Sequence, residues 1–460
     1  MLYTHDGGGQ GNHGGEAESS PAGAYDAPPM PPLELREVDR EIRRQARERK
    51  MFFHFREGVE RYVPMALKPW IVTQVQRRYL RQAGVVLQRA ALRVFPAWFE
   101  RPDLQALLPL TEGEVRWLRE SYGGNYRRPE TLMSRVDIAT DLAVGDWRTR
   151  TCVLELNLVG IGAAYYCYCA GQIAEEVWGR ELHAKAEDDL LEMIIGRCHE
   201  HGAKIGRPKP TVAFVEYRRC LKGPFEYETM CEIYRRRGYD AFVCDTIDVR
   251  VKGGHLTALG RKVDLVYRDP TLGELVEQTE VDGDDLRGLK HAFKHNQVVS
   301  SLGGEIDHKG LLEVLSAPEY AGLFTPSQRR VLKAIVPWTR VLRDEFADHV
   351  RRNRERLVIK PNRDYGGSGV MIGERTSASA WDGLIDEGVR HPSRYVVQER
   401  IAFTRESYPI LTGRRVSYEK RYTVAGVHAT ARHSAILGRM STEPVVNITR
   451  GGAIVGVLMR

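Results

Sequence analysis

The sequence predicts an α/β protein made of α+β lobes, preceded by a separate helical region. Three observations predict it. After about Arg128, short β-rich runs alternate with helical patterns, which argues for mixed layers rather than an all-β fold. Before that point the apolar residues recur at helical spacing among many arginines and glutamates. The 460 residues also exceed what one core organises, so two or three domains are expected.

Residues 1–32 are rich in Gly, Ser, Ala and Pro and carry neither the basic start nor the apolar stretch of a secretory signal. They bury too little apolar surface to offset their ordering entropy and read as a disordered leader. Residues 33–128 form the helical region, with helical stretches at 33–64 and 70–99. Strands are expected at 151–158, 211–217, 241–245, 263–267, 357–360 and 395–398, and helices at 187–199, 224–237 and 307–316.

Composition narrows the partners. The chain is 42% hydrophobic and 28% charged, as globular proteins are, and has no run of about eighteen apolar residues to span a membrane. Its net charge of +7 suits an anionic ligand. The arginine-rich helix faces lack aromatic interleaving or an RNA-reading motif, so they read as solvated surfaces and no nucleic-acid partner is expected. The seven cysteines form no C-x-x-C pair; they read as small buried hydrophobes in a reducing cytoplasm, which makes a cytoplasmic location the expectation. His291 and His295, four apart, have a zinc-like spacing but sit among lysines and read as a solvated basic turn.

The segment RLVIKPNRDYGGSGVMIGE, Arg356 to Glu374, carries the most chemistry. A β-branched run ends at Lys360, and Gly366, Gly367 and Gly369 follow in a polar loop. Clustered glycines let backbone N–H groups approach phosphate oxygens, and a lysine at the strand end supplies a point charge. The segment is neither a Walker loop nor a dinucleotide fingerprint; it also reads as a plain hairpin with a glycine turn. Further on come YVVQERI, with Gln398, Glu399 and Ile401 able to present backbone groups to an adenine edge, and VVNITRGGAIVG, with Asn447, Gly451 and Gly452. Upstream, R-x-D (Arg135 to Asp137) precedes a strand bearing Glu155 and Asn157. Period two puts both side chains on one face, where a carboxylate and an amide oxygen make hard ligands for Mg²⁺. The pair also reads as the wet face of an amphipathic strand.

In this order the motifs resemble the ATP-grasp superfamily, in the circularly permuted form of eukaryotic-type glutathione synthetase and glutathionylspermidine synthetase. The resemblance runs from about Arg135 to the C-terminus. It implies a permuted ATP-grasp fold divided into a first part of the core with the E-x-N strand (129–205), an α/β substrate domain (206–300) and nucleotide-binding lobes (301–460), behind the added N-terminal helices. It implies ATP and Mg²⁺ as cofactors, with Lys309 and Lys360 on the phosphates beneath Gly366, Gly367 and Gly369. Gln398, Glu399 and Ile401 would receive adenine. Glu155, Asn157 and Asp364 would hold the metal, the last an aspartate where the family more often has glutamate. Arg135, Arg268 and Arg432 would meet substrate carboxylate, and Asn447, Gly451 and Gly452 would form a late active-site loop. The implied activity is ATP-dependent joining of a small-molecule carboxylate to an amine through an acyl phosphate, with ADP and phosphate released. The alternatives are a catalytically silent binding module on the same fold and a small-molecule kinase.

Overall fold

The computed structural model describes residues 32–54, 60–125, 127–218, 226–301, 303–403, 405–448 and 451–460. The expected leader therefore lies almost wholly outside the described residues.

Arg415–Ala429 is the spine of the largest sheet. Its first half is exposed or half-buried and its second half is fully buried. The order is Ala453–Val455, Ser434–Ser441, Arg415–Ala429, Arg135–Ala139 and Cys152–Asn157, all antiparallel, with Arg405–Thr412 paired along the first half of the spine. Two strands from the first third of the chain thus complete a sheet otherwise built after residue 404. The helix Gln74–Trp98 is fixed at its start by a Thr73/Gln76 capping box and lays Leu80, Ala83, Leu87, Ala91 and Val94 against this sheet.

A second antiparallel sheet, ordered Thr339–Val341, Tyr395–Glu399, Leu357–Pro361 and Met371–Ile372, packs on helices Asp344–Arg352 and Ala378–Arg390. It has its own core of Leu342, Ile359, Trp381, Ile385 and Val397. The third unit is parallel, ordered Val298–Val299, Leu265–Arg268, Val212–Glu216 and Ala241–Asp245. Val212–Glu216 and Leu265–Arg268 are buried at every position, as expected of strands covered on both faces.

Several expectations need correction. The first helix ends at Glu48 and is followed by the strand pair Phe52–His54 and Glu60–Tyr62. Trp70–Val72 is a strand, not the start of a helix, because it pairs in parallel with Val457–Met459. The strands between 405 and 441 were not anticipated; Arg405–Thr412 and the first half of Arg415–Ala429 are too exposed and polar to show a buried face. The His291 and His295 rings lie tilted at 4.1 Å between centroids, and no group of three metal-binding side chains occurs among the described residues. Six described cysteines are free thiols, five of them buried. No described helix is long and apolar enough to cross a membrane.

Candidate active site

A cavity of about 810 Å³ lies where the large sheet, the smaller antiparallel sheet and the loop after Asn157 meet. That volume is toward the upper end for small-molecule sites.

One wall carries two lysines from distant segments. Lys360 ends the strand Leu357–Pro361, and its ammonium donates to Gln398 Oε1 at 2.6 Å and to the Leu154 carbonyl at 3.2 Å, 206 residues away in sequence. Lys309 lies 3.7 Å from Glu155 Oε2 and also donates to the Asp364 carbonyl. Glu155 and Asn157 both line the cavity from one face of Cys152–Asn157. The Asn157 amide donates weakly, at 3.4 Å, to the Arg135 carbonyl. Burial brings Lys360 down to about 8; the Glu155 carboxylate opposes this shift and the Lys309 ammonium adds to it.

The glycine loop arches over this wall. Gly366, Gly367 and Gly369 have φ of 68°, 71° and 65°, the left-handed region that side chains resist. A Cβ on Gly367 would stand 2.3 Å from Val445 Cγ1, so the loop can press onto the 445–447 segment only as glycine. Asn447 Nδ2 donates to the Gly366 carbonyl at 2.7 Å and joins the two loops.

At the other end, Asp137 is 3% exposed and sits between two guanidiniums, with Arg135 Nε at 2.9 Å and Arg439 Nη2 at 2.8 Å. Burial would raise its carboxyl, but the two charges outweigh that and hold it well below the carboxylate range. Asp269, Thr271 and Glu274 also line the cavity. Burial lifts Asp269 to about 6 even though it accepts from the Tyr227 hydroxyl at 3.1 Å.

The geometry brings together Arg135, Glu155, Asn157, Lys309, Lys360, Gly366, Gly367, Gln398, Glu399, Ile401 and Asn447 as cavity lining. Gln398 lines it as the holder of Lys360: its side chain is spent on that ammonium and on Thr339 Oγ1. After Glu399 the chain leaves the sheet and runs past the cavity to Phe403.

The structure does not bring the remaining candidates to the cavity wall. Arg268 is buried within the fold, donating to the carbonyls of Pro270 and Ser300 and to Glu305 at 2.5 Å, so it has no free face for a substrate. Arg432 sits in the exposed turn before Ser434–Ser441, more than about 16 Å of strand from cavity-lining Arg439. Asp364 is exposed and off the cavity wall, and its carbonyl accepts from Lys309. Gly369 packs on Pro361, Gly452 donates to the Asn447 carbonyl at 3.0 Å, and none of Gly369, Gly451 and Gly452 is on the wall.

The sequence reading also missed Arg375, Arg400, Arg405 and Arg439, all of which line the cavity. Arg439 was detectable in principle as a cation on an otherwise apolar late strand, AILGRMS. Arg375 and Arg400 sit in connections with no periodicity, and Arg405 opens a strand whose exposed residues give no apolar face. No histidine, cysteine or serine lines the cavity among the described residues, so no nucleophile–base pair of those types faces it.

A fold of two antiparallel sheets meeting at one cavity, lined by a glycine loop and by one lysine from a strand and another from the turn before a helix, is of the ATP-grasp type. More particularly, it is the form seen in a glutathione synthetase-like effector from Globodera pallida, whose solved structure matches with a TM-score of 0.60 over 94% of this chain and 98% of that one, at 10% sequence identity. Looser matches include a putative gamma-glutamylcysteine synthetase from Methylobacillus flagellatus, at 10% identity, TM-score 0.37 and 81% and 88% coverage. Another is a RimK-domain ATP-grasp protein from Sphaerobacter thermophilus, at 15% identity, TM-score 0.26 and 49% and 88% coverage. No protein-family model and no curated protein matches the sequence.

Proposed function

We propose that the chain is an ATP-dependent carboxylate–amine ligase with small-molecule substrates, and that its early strands within the late sheet reflect a permuted order. The observation that carries this reading is the convergence of Lys309, Lys360, Glu155 and Asn157 beneath the glycine loop in one cavity. In this reading the lysines meet the phosphates of ATP, and the 399–403 segment runs beside the base. Arg439, held on Asp137 through Nη2, faces a substrate carboxylate, and Arg135, engaged by Asp137 and the Gly162 carbonyl, adds its positive charge beside it. The donor set fits Mg²⁺: one carboxylate and one amide oxygen on a strand face, with the remaining positions left to phosphate and water. Bound there by Glu155 and Asn157, the ion would neutralise phosphate charge.

A substrate carboxylate oxygen attacks the γ-phosphorus, and the bond from that phosphorus to the β–γ bridging oxygen breaks, releasing ADP. The amine nitrogen then attacks the acyl carbon, phosphate leaves with its oxygen, and the amine proton passes to solvent. The protein aligns the reactants and stabilises charge without a covalent step of its own. The test incubates the protein with ATP, Mg²⁺ and pooled acids and amines, following phosphate release and product mass. A condensation product that has lost water is expected. ATP-dependent phosphorylation with no amide would make the protein a kinase instead.

Arg268 locked in the core and Asp364 off the wall favour a second reading, a binding module that keeps the fold without turnover. Nucleotide binding with no phosphate release under any pool would select it.

The Lys360 value sets a pH dependence. The ammonium is present below about 8 and lost above it, so MgATP affinity of the free protein should fall as pH rises through that value, and should stay flat in Lys360→Ala. The fold responds in the opposite sense. Between about 8 and the usual 10.5 the unfolded chain holds the lysine proton that the folded one has shed, so stability rises with pH across that window. A calorimetric affinity series from pH 7 to 9.5 checks the first; an affinity unchanged above pH 8 would contradict it.

A further inference from the structure

Three segments remote in sequence meet beside the two lysines. Asn362, two residues after Lys360, is 1% exposed, and each of its polar groups is engaged. Its side-chain oxygen accepts from the Gly310 N–H at 2.8 Å. Its carbonyl accepts from the Lys309 N–H at 2.9 Å, and its own N–H donates to the Arg394 carbonyl at 2.9 Å. Its side-chain amide donates to the Ser393 carbonyl at 2.9 Å and, at 3.4 Å, to the Leu107 carbonyl, which ends the helix Pro102–Leu107. Gly310 is wedged in the same junction: a Cβ there would stand 2.8 Å from the Leu107 carbonyl oxygen.

The next residue makes a second tie to the N-terminal helices. Arg363 grips Glu114 with both terminal nitrogens, Nη1 to Oε2 at 3.0 Å and Nη2 to Oε1. Glu114 is fully buried and already caps its own helix, accepting from the Thr111 N–H at 2.7 Å. A buried carboxylate committed to a cap is held in one rotamer, and its two oxygens fix the guanidinium plane. Ser393 Oγ adds a bond to the Ala106 carbonyl at 2.9 Å. The chain from Lys360 to Arg363 is therefore pinned at one end by Gln398 and the Leu154 carbonyl, and at the other by residues 107 and 114.

We infer that Asn362, with the Glu114–Arg363 clamp, is a positioning element: it sets Lys309 and Lys360 in register for the phosphates and makes the N-terminal helical region part of the nucleotide site. This rests on the ATP reading above. The lysines stand on backbones whose spacing this junction fixes, so loosening it displaces charge from phosphate without touching any group near the base.

The test uses the full chain and two probes, MgATP and adenosine, titrated by calorimetry against wild type, Lys360→Ala, Asn362→Asp and Glu114→Gln. Asn362→Asp turns the donating amide into an oxygen facing two carbonyls. Glu114→Gln keeps the acceptor for Thr111 and removes the charge that holds Arg363, which makes it the milder variant should the first fold poorly. Expected are an MgATP dissociation constant at least tenfold higher for Asn362→Asp, about threefold to tenfold higher for Glu114→Gln, and adenosine binding within twofold of wild type for both. Wild-type MgATP binding that depends on Lys360 while both variants bind like wild type would overturn the inference and leave the ATP reading standing. Equal losses for ATP and adenosine would overturn it too, since they would mark a general loosening of the fold. A wild type that binds no MgATP would bring down both.

Discussion

Lys360→Ala is expected to lower ATP-dependent phosphate release by about two to three orders of magnitude, the cost of removing one well-placed charged donor from a catalytic site. Its ammonium is held by Gln398 Oε1 and the Leu154 carbonyl, so its position is settled before any phosphate arrives. Preorganised charge acts without reorganisation at the moment of transfer, which is why one side chain carries so large a factor. Lys309, facing Glu155 at 3.7 Å, does not substitute for it, because its charge is partly answered by that carboxylate. Folding should survive, since the alanine removes a charge that burial already disfavours. The check is turnover and circular dichroism on the same preparation: full turnover in the variant would refute the assignment of the phosphate wall.

The largest effect on stability is expected at Asp137. Removing its carboxylate in Asp137→Ala leaves Arg135 and Arg439 close together and uncompensated, with side chains only 12% and 11% exposed. Breaking a buried ion cluster by taking one partner costs roughly 3–5 kcal/mol, because the remaining charge keeps its desolvation penalty. Calorimetric melting should show a clear fall in midpoint. Replacing all three residues together, with methionines for the arginines, should recover much of the loss, since no charge is then stranded. A single variant that melts with the wild type would show that water already reaches the pair and that the triad is not the buried unit described. The triad variant would also lose substrate binding, because both arginines face the cavity.

Much of the fold was legible in one dimension. The strand at Cys152–Asn157, the strand–helix–strand unit from Val212 to Arg268, and the strand ending at Lys360 are local patterns of period two or 3.6, and each formed within a residue or two of expectation. The late hairpins were not legible. Arg405–Thr412 and the first half of Arg415–Ala429 pair with each other but cover little core, so no apolar face marks them. Burial, not backbone propensity, writes the signal that periodicity reads.

For the site, the sequence alone determined chemistry attached to a local motif. Lys360, three glycines and a carboxylate–amide pair stand where a strand end, tight turns and period two put them, because period and φ are set by neighbours a few residues away; Lys309 was marked only by the family resemblance. Whether a charged side chain faces the cavity was decided by tertiary structure. Arg268 ends a strand as a substrate arginine would, yet Glu305, 37 residues on, draws it into the core. Arg439 carries no motif, yet its pairing with Asp137 from 302 residues earlier turns it to the cavity. Charge reaches its partner through space, and only the folded chain says which partner is near.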